Sequence, residues 1–193
     1  MHIFKRNYTK FILLLLLSLF PKTILFAQEN SLKTKYFTIY YAQDCSLAQL
    51  ADRLHVASFL HIDIFPQQNN IQDIQSIVSD LFDSLYLEVS DIIDIHMYSF
   101  EGTIRIMPGR EELREILGAY FKKVPNVASF YSHANNTIYF SWPDLTLGVL
   151  VHEMAHAIIS HYFVVPPSTK VQEILAGYVE YSIRKKAGLQ VIK

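Results

Sequence analysis

Two histidines four residues apart, with a glutamate beside the first, form the stretch His152-Glu153-Met154-Ala155-His156. A helix turns about 100° per residue, so positions i and i+4 project from one face, one turn apart. On a helix, His152 and His156 therefore present two imidazole nitrogens to one metal ion. Zn²⁺ accepts neutral imidazole, and a catalytic zinc site takes three protein ligands and keeps a fourth position for water. Glu153 has the type and the place of the base that takes a proton from that water. The surrounding residues predict the helix this chemistry needs: Leu145, Val149, His152, His156 and Ile159 share one face, and Leu147, Leu150, Met154 and Ile158 supply apolar contacts on neighbouring sides. Asp144 or Thr146 can cap its start, and Pro166-Pro167 stop its continuation.

Two histidines alone make a weak, open site, so a third ligand is required. After the proline pair comes a second helical pattern, Val171 to Tyr181, in which Glu173 and Glu180 stand two turns apart on one face. The two patterns together resemble the glutamate zincins (gluzincins, peptidase MA-like), the class that includes thermolysin and the membrane-alanyl aminopeptidases. The second zinc helix of that class reads N-E-G-x-x-x-Y-x-E. Here Gln172-Glu173 stand where Asn-Glu is usual, Tyr178 matches the tyrosine and Glu180 the later glutamate. The resemblance spans roughly residues 137–184. It implies that Glu173 is the third zinc ligand and that Glu180 orients a ligand histidine, fixing its tautomer and raising its basicity. A solvated helix carboxylate is the plain alternative for Glu173. Ile174 departs from the usual glycine. The Gly-x-Met-Glu-Asn stretch by which the aminopeptidases recognise a free amino terminus is absent, so exopeptidase specificity is not implied. Among nearby groups, Tyr178 lies about 140° round the helix from Glu173 and is expected to pack in the core; His161 lies about 140° off the ligand face and is not expected to bind the same ion. Tyr162 and Tyr181 are not distinguished by spacing.

The chain has 193 residues, of which 17 are basic and 18 acidic. Lys5, Arg6 and Lys10 precede an apolar run from Phe11 to Phe20, and Pro21-Lys22 break it before Leu25-Phe26-Ala27-Gln28. Residues 1–27 read as a secretory signal peptide cleaved after Ala27, which implies a secreted or periplasmic protein. Its apolar core is shorter than the roughly 20 residues that span a bilayer, so membrane attachment is expected only if the segment stays uncleaved. Residues 1–27 carry four basic and no acidic residues, leaving 13 basic against 18 acidic in residues 28–193, or −5. Without a basic stripe there is no electrostatic footprint for nucleic acid. A single cysteine, Cys45, allows no internal disulfide. Residues 28–193 suit one domain, and half the chain is apolar, enough for a core.

Residues Lys35 to Tyr41 read as a strand with Phe37, Ile39 and Tyr41 on one side. Ser46 caps a helix with Leu47, Leu50, Leu54 and His61 at helical spacing; His55 and His61 lack a partner at i+4 and read as packed or surface residues. A second amphipathic helix covers Ile71 to about Leu87, with Asp73, Asp80 and Asp83 on a solvated face. Residues 91–100 are ambiguous. Gly102 to Gly109 read as a strand, Arg110 to Tyr120 as a charged helix, and Ala128 to Ser132 with Thr137 to Trp142 as a hairpin round His133-Ala134-Asn135-Asn136. This order predicts an α+β fold. It also resembles the minimal zincin-like plan, a small twisted mixed sheet followed by an active-site helix and a glutamate helix. In that plan Thr137 to Ser141 is an edge strand beside the cleft, free to pair with an extended substrate.

The expected function is an exported zinc peptidase with a peptide or protein substrate, acting within chains. Two alternatives remain: a zincin-like binding or assembly module, against which Glu153 counts because a structural zinc needs no base, and a zinc amidase acting on a non-peptide bond such as a cell-wall amide.

Overall fold

The computed structural model describes residues 29–54, 71–119, 122 and 124–189. The expected signal segment 1–27, His55 and His61 lie outside them. Five strands form one mixed sheet: β1 (Glu29–Lys33), β2 (Phe37–Ala42), β3 (Gly102–Met107), β4 (Ser129–Ser132) and β5 (Thr137–Ser141). Their order across the sheet is β1-β2-β3-β5-β4. The central pairs β2–β3 and β3–β5 are parallel, and both outer pairs are antiparallel. The helices are α1 (Leu47–Arg53), α2 (Ile71–Ile93), α3 (Arg110–Gly118), α4 (Leu147–Tyr162) and α5 (Thr169–Lys186). The α+β architecture is thus as expected.

Successive strand side chains point to opposite faces, and the sheet uses this to separate two layers. Phe37, Ile39, Ile104, Ile106, Ile138 and Phe140 face the main core, where they meet Leu81, Phe82 and Leu85 of α2, Leu150, Met154 and Ile158 of α4, and Val179 and Ile183 of α5. The other face carries a smaller cluster in which Leu113 of α3 meets Met107 and Tyr139.

One expectation is overturned here. Thr137–Ser141 is not an edge strand: β5 lies between β3 and β4, and all five of its residues are buried. The reason is the hairpin. A 3₁₀ turn at His133–Asn135 and Asn136 in the left-handed conformation (φ 48°) fold β4 back alongside β5, which makes β4 the outer strand. The ambiguous stretch after residue 90 also resolves. α2 runs on to Ile93 because Val89 and Ser90 are still buried, then stops at Asp94, whose φ of 54° is the left-handed value typical of a helix end. Asp83 is not solvated as expected: it accepts hydrogen bonds from Thr34 Oγ1 (2.7 Å), Lys35 N (3.0 Å) and Tyr36 N (3.2 Å), tying α2 to the β1–β2 turn.

Candidate metal centre

α4 begins at Thr146, whose hydroxyl accepts from the Val149 amide at 3.3 Å as a helix N-cap. Helical spacing then sets His152 and His156 on the side facing α5. Their Nε2 atoms lie 3.2 Å apart. Across from them, Glu173 in the first turns of α5 places Oε2 3.4 Å from His152 Nε2 and Oε1 3.4 Å from His156 Nε2. Among the described residues, these three form the one group of histidine, cysteine, aspartate or glutamate side chains close enough to share a metal ion, with ligand atoms all within 4.8 Å of one another.

The spacing can be tested against a tetrahedral ion. Ligand atoms about 2.0–2.1 Å from a common centre, about 109° apart, lie roughly 3.3–3.4 Å from one another. The two Nε2 atoms, 3.2 Å apart, stand close to that edge length, and each faces a different oxygen of the Glu173 carboxylate at 3.4 Å, so one ion between them would meet the carboxylate after a small adjustment. Two imidazole nitrogens and a carboxylate this close together are a donor set that fits zinc, which accepts imidazole nitrogen and carboxylate oxygen. One hydrogen bond between the imidazoles could account for the N–N contact alone, but it would not call for a carboxylate reaching both nitrogens.

Glu180, two turns after Glu173, lies beside the opposite nitrogen of His152, with Oε2 3.4 Å from Nδ1. That nitrogen is buried and makes no hydrogen bond at all. The carboxylate is near enough for an ion pair but not aligned for a hydrogen bond. A proton on Nδ1 is the state that faces Glu180 favourably, and it leaves the Nε2 lone pair for a metal. Arg184, one turn on, donates to Glu180 Oε1 at 3.2 Å and holds the carboxylate in place.

Glu153, the residue after His152, reaches the sheet beside the cluster. It is buried, and Ser129 of β4 donates to its Oε1 at 2.7 Å. Burial raises the pKa of this carboxyl; the Ser129 hydrogen bond, the nearby His156 and the Tyr131 backbone oppose the rise, and Glu173 adds to it.

Three features that align these groups have no part in the linear motif. Gly148 of α4 is where α5 comes closest: a Cβ there would stand 2.9 Å from Glu180 Oε1 and 3.1 Å from Arg184 Cδ. Gln172 bridges the helices, accepting from Ser160 Oγ of α4 at 3.2 Å and donating to the Pro167 carbonyl at 2.8 Å, which sets the entry of α5 one residue before Glu173. Ser129 is the third. A glycine inside an apolar helical pattern is a legible hint of close packing; Gln172 and Ser129 gave no signal of their role.

Tyr178, expected in the core, is 57% exposed, because the core side of α5 is taken by Ala176, Val179 and Ile183. His161 is outside the cluster, as its helical angle predicts, with its ring edge-on to Phe100 at 5.2 Å between centroids. Compared with known proteins, the chain matches no family model, no curated protein and no solved structure.

Proposed function

We propose that this is an exported zinc-dependent peptidase of the glutamate-zincin type that hydrolyses peptide bonds within chains. The observation that carries the reading is the convergence of His152 Nε2, His156 Nε2 and the Glu173 carboxylate, close enough to share one metal ion, with a second carboxylate buried one residue from the first histidine. Bound there, zinc would lower the pKa of a water molecule toward about 7 and polarise a carbonyl group.

The chain supplies the rest. Glu153 takes the proton from the attacking water and returns it to the leaving amine nitrogen. Ser129, donating to Oε1, holds the carboxylate in place. Glu180 keeps the His152 ring turned so that Nε2 faces the centre. Strand β4, as the outer strand, offers the extended backbone against which a substrate segment can pair, the role the sequence had suggested for β5.

The test compares the wild type with Glu153→Gln for zinc content and for cleavage of an unfolded protein. Equal zinc in both, cleavage by the wild type, and a loss of cleavage by at least about 10²-fold in the variant support the reading. Zinc bound without cleavage by either protein would move the binding-module reading ahead, because the base would then have no use.

A further inference from the structure

Eight of the ten exposed large apolar side chains among the described residues lie between Tyr162 and Tyr181, in the α4–α5 loop and on α5. In the loop, Val164 and Val165 are 101% and 83% exposed, directly after exposed Phe163 and Tyr162, the last residue of α4. On α5, Val171, Ile174, Tyr178 and Tyr181 recur at spacings of three and four, so they form one stripe over about 15 Å of helix, turned away from the buried Ala176, Val179 and Ile183. A contiguous apolar surface of this kind marks an interaction site.

The charges within this segment are one-sided. The only acids between residues 162 and 186 are Glu173 and Glu180, and both turn to His152. Lys170 and Lys185 are exposed, stand at the two ends of the stripe, and make no ion pair among the described residues. A basic-rimmed patch thus sits on a chain whose net charge is −1. Its shape is the convex face of a single helix extended by a loop tip. Such a ridge offers no cavity for a partner's side chain, but it can sink into a deformable apolar layer. Tyrosine rings suit the headgroup level of a membrane, valine side chains the layer beneath, and lysines the anionic surface.

We propose that the outward face of α5 and the α4–α5 loop dock on the surface of an anionic phospholipid bilayer. Attachment is peripheral: among the described residues no helix is long and apolar enough to cross a membrane. The proposal is independent of zinc chemistry, since none of its residues is a candidate ligand.

The test uses an environment-sensitive fluorophore on a cysteine placed in the full chain, as Val164→Cys, Ile174→Cys or, for control, Glu111→Cys on α3 across the sheet. The native Cys45 is buried and does not compete for label. Phosphatidylcholine vesicles containing phosphatidylglycerol should shift the emission to the blue at positions 164 and 174 and leave position 111 unchanged. Lys170→Ala and Lys185→Ala should each weaken vesicle affinity about fivefold. Unchanged emission at 164 and 174 overturns the proposal, even if vesicles are bound, because attachment through residues 11–20 would not move these probes. A blue shift without vesicles that grows with protein concentration also overturns it, since a second copy would then cover the face.

Discussion

Helices α4 and α5 supply the same cluster but hold their contributions in opposite ways. Eleven of the 16 residues of α4 are buried, against three of the 18 in α5. The side chains of His152 and His156 are 24% and 14% exposed, that of Glu173 55%. The histidines are therefore fixed by the core itself, because a helix buried on most sides has no room to rotate. Glu173 is fixed by a small set of polar contacts and one close approach: Gln172 at the entry of α5, Glu180 with Arg184 two turns on, and Gly148 opposite. One half of the centre is thus inseparable from the fold, and the other is laid against it. Damage to α4 should cost fold and metal together, whereas damage to α5 outside its buried Ala176, Val179 and Ile183 should cost metal alone.

The largest effect is expected at the histidines. His156→Ala removes one of the two proposed nitrogen ligands, and its loss of zinc affinity should exceed the roughly 10–100-fold typical of removing an outer carboxylate, as read by chelator competition. Next comes the core beneath them. Leu150→Ala in α4 should lower stability by about 2–5 kcal/mol in denaturant unfolding, through lost burial and a cavity, whereas Ile174→Ala on the exposed face of α5 should change it by less than about 0.5 kcal/mol. Equal losses at the two positions would erase the contrast between the helices.

A smaller effect separates positioning from folding. Glu180→Gln keeps the shape of the side chain but removes the charge beside His152 Nδ1, so zinc affinity should fall by about 10–100-fold with the unfolding midpoint unchanged. If the midpoint falls while zinc affinity holds, Glu180 is a packing residue. Smallest is Gly148→Ala. The added methyl meets the far end of a flexible glutamate and shifts it rather than breaking the helix, so zinc affinity should drop by less than about tenfold, less than in Glu180→Gln.

The same contrast explains what could be read from the sequence. α4 was legible as an element because its apolar periodicity is long and Thr146 caps it, and the spacing of His152 and His156 follows from helical geometry alone. Glu173 needed a resemblance to be singled out, because an exposed helix carboxylate carries no periodic signal. Strand β1 was not seen at all: in Glu29–Lys33 only Leu32 is buried, so the strand is held by pairing with β2 rather than by an apolar pattern. The hairpin was legible but its place in the sheet was not, since which strand ends on the outside depends on pairing between β3 and β5 across more than 30 residues of chain. Ser129 stayed invisible for the same reason: its hydroxyl reaches Glu153 only after β4 and α4 pack.

The most direct test of a three-residue centre is the zinc affinity of Glu173→Ala beside the wild type, measured by chelator competition on protein of verified fold. One zinc per wild-type chain is expected and, in the variant, an affinity lower by about tenfold or more with an unchanged unfolding midpoint. Equal affinity in the two proteins would contradict it, leaving Glu173 a solvated carboxylate beside a two-histidine site.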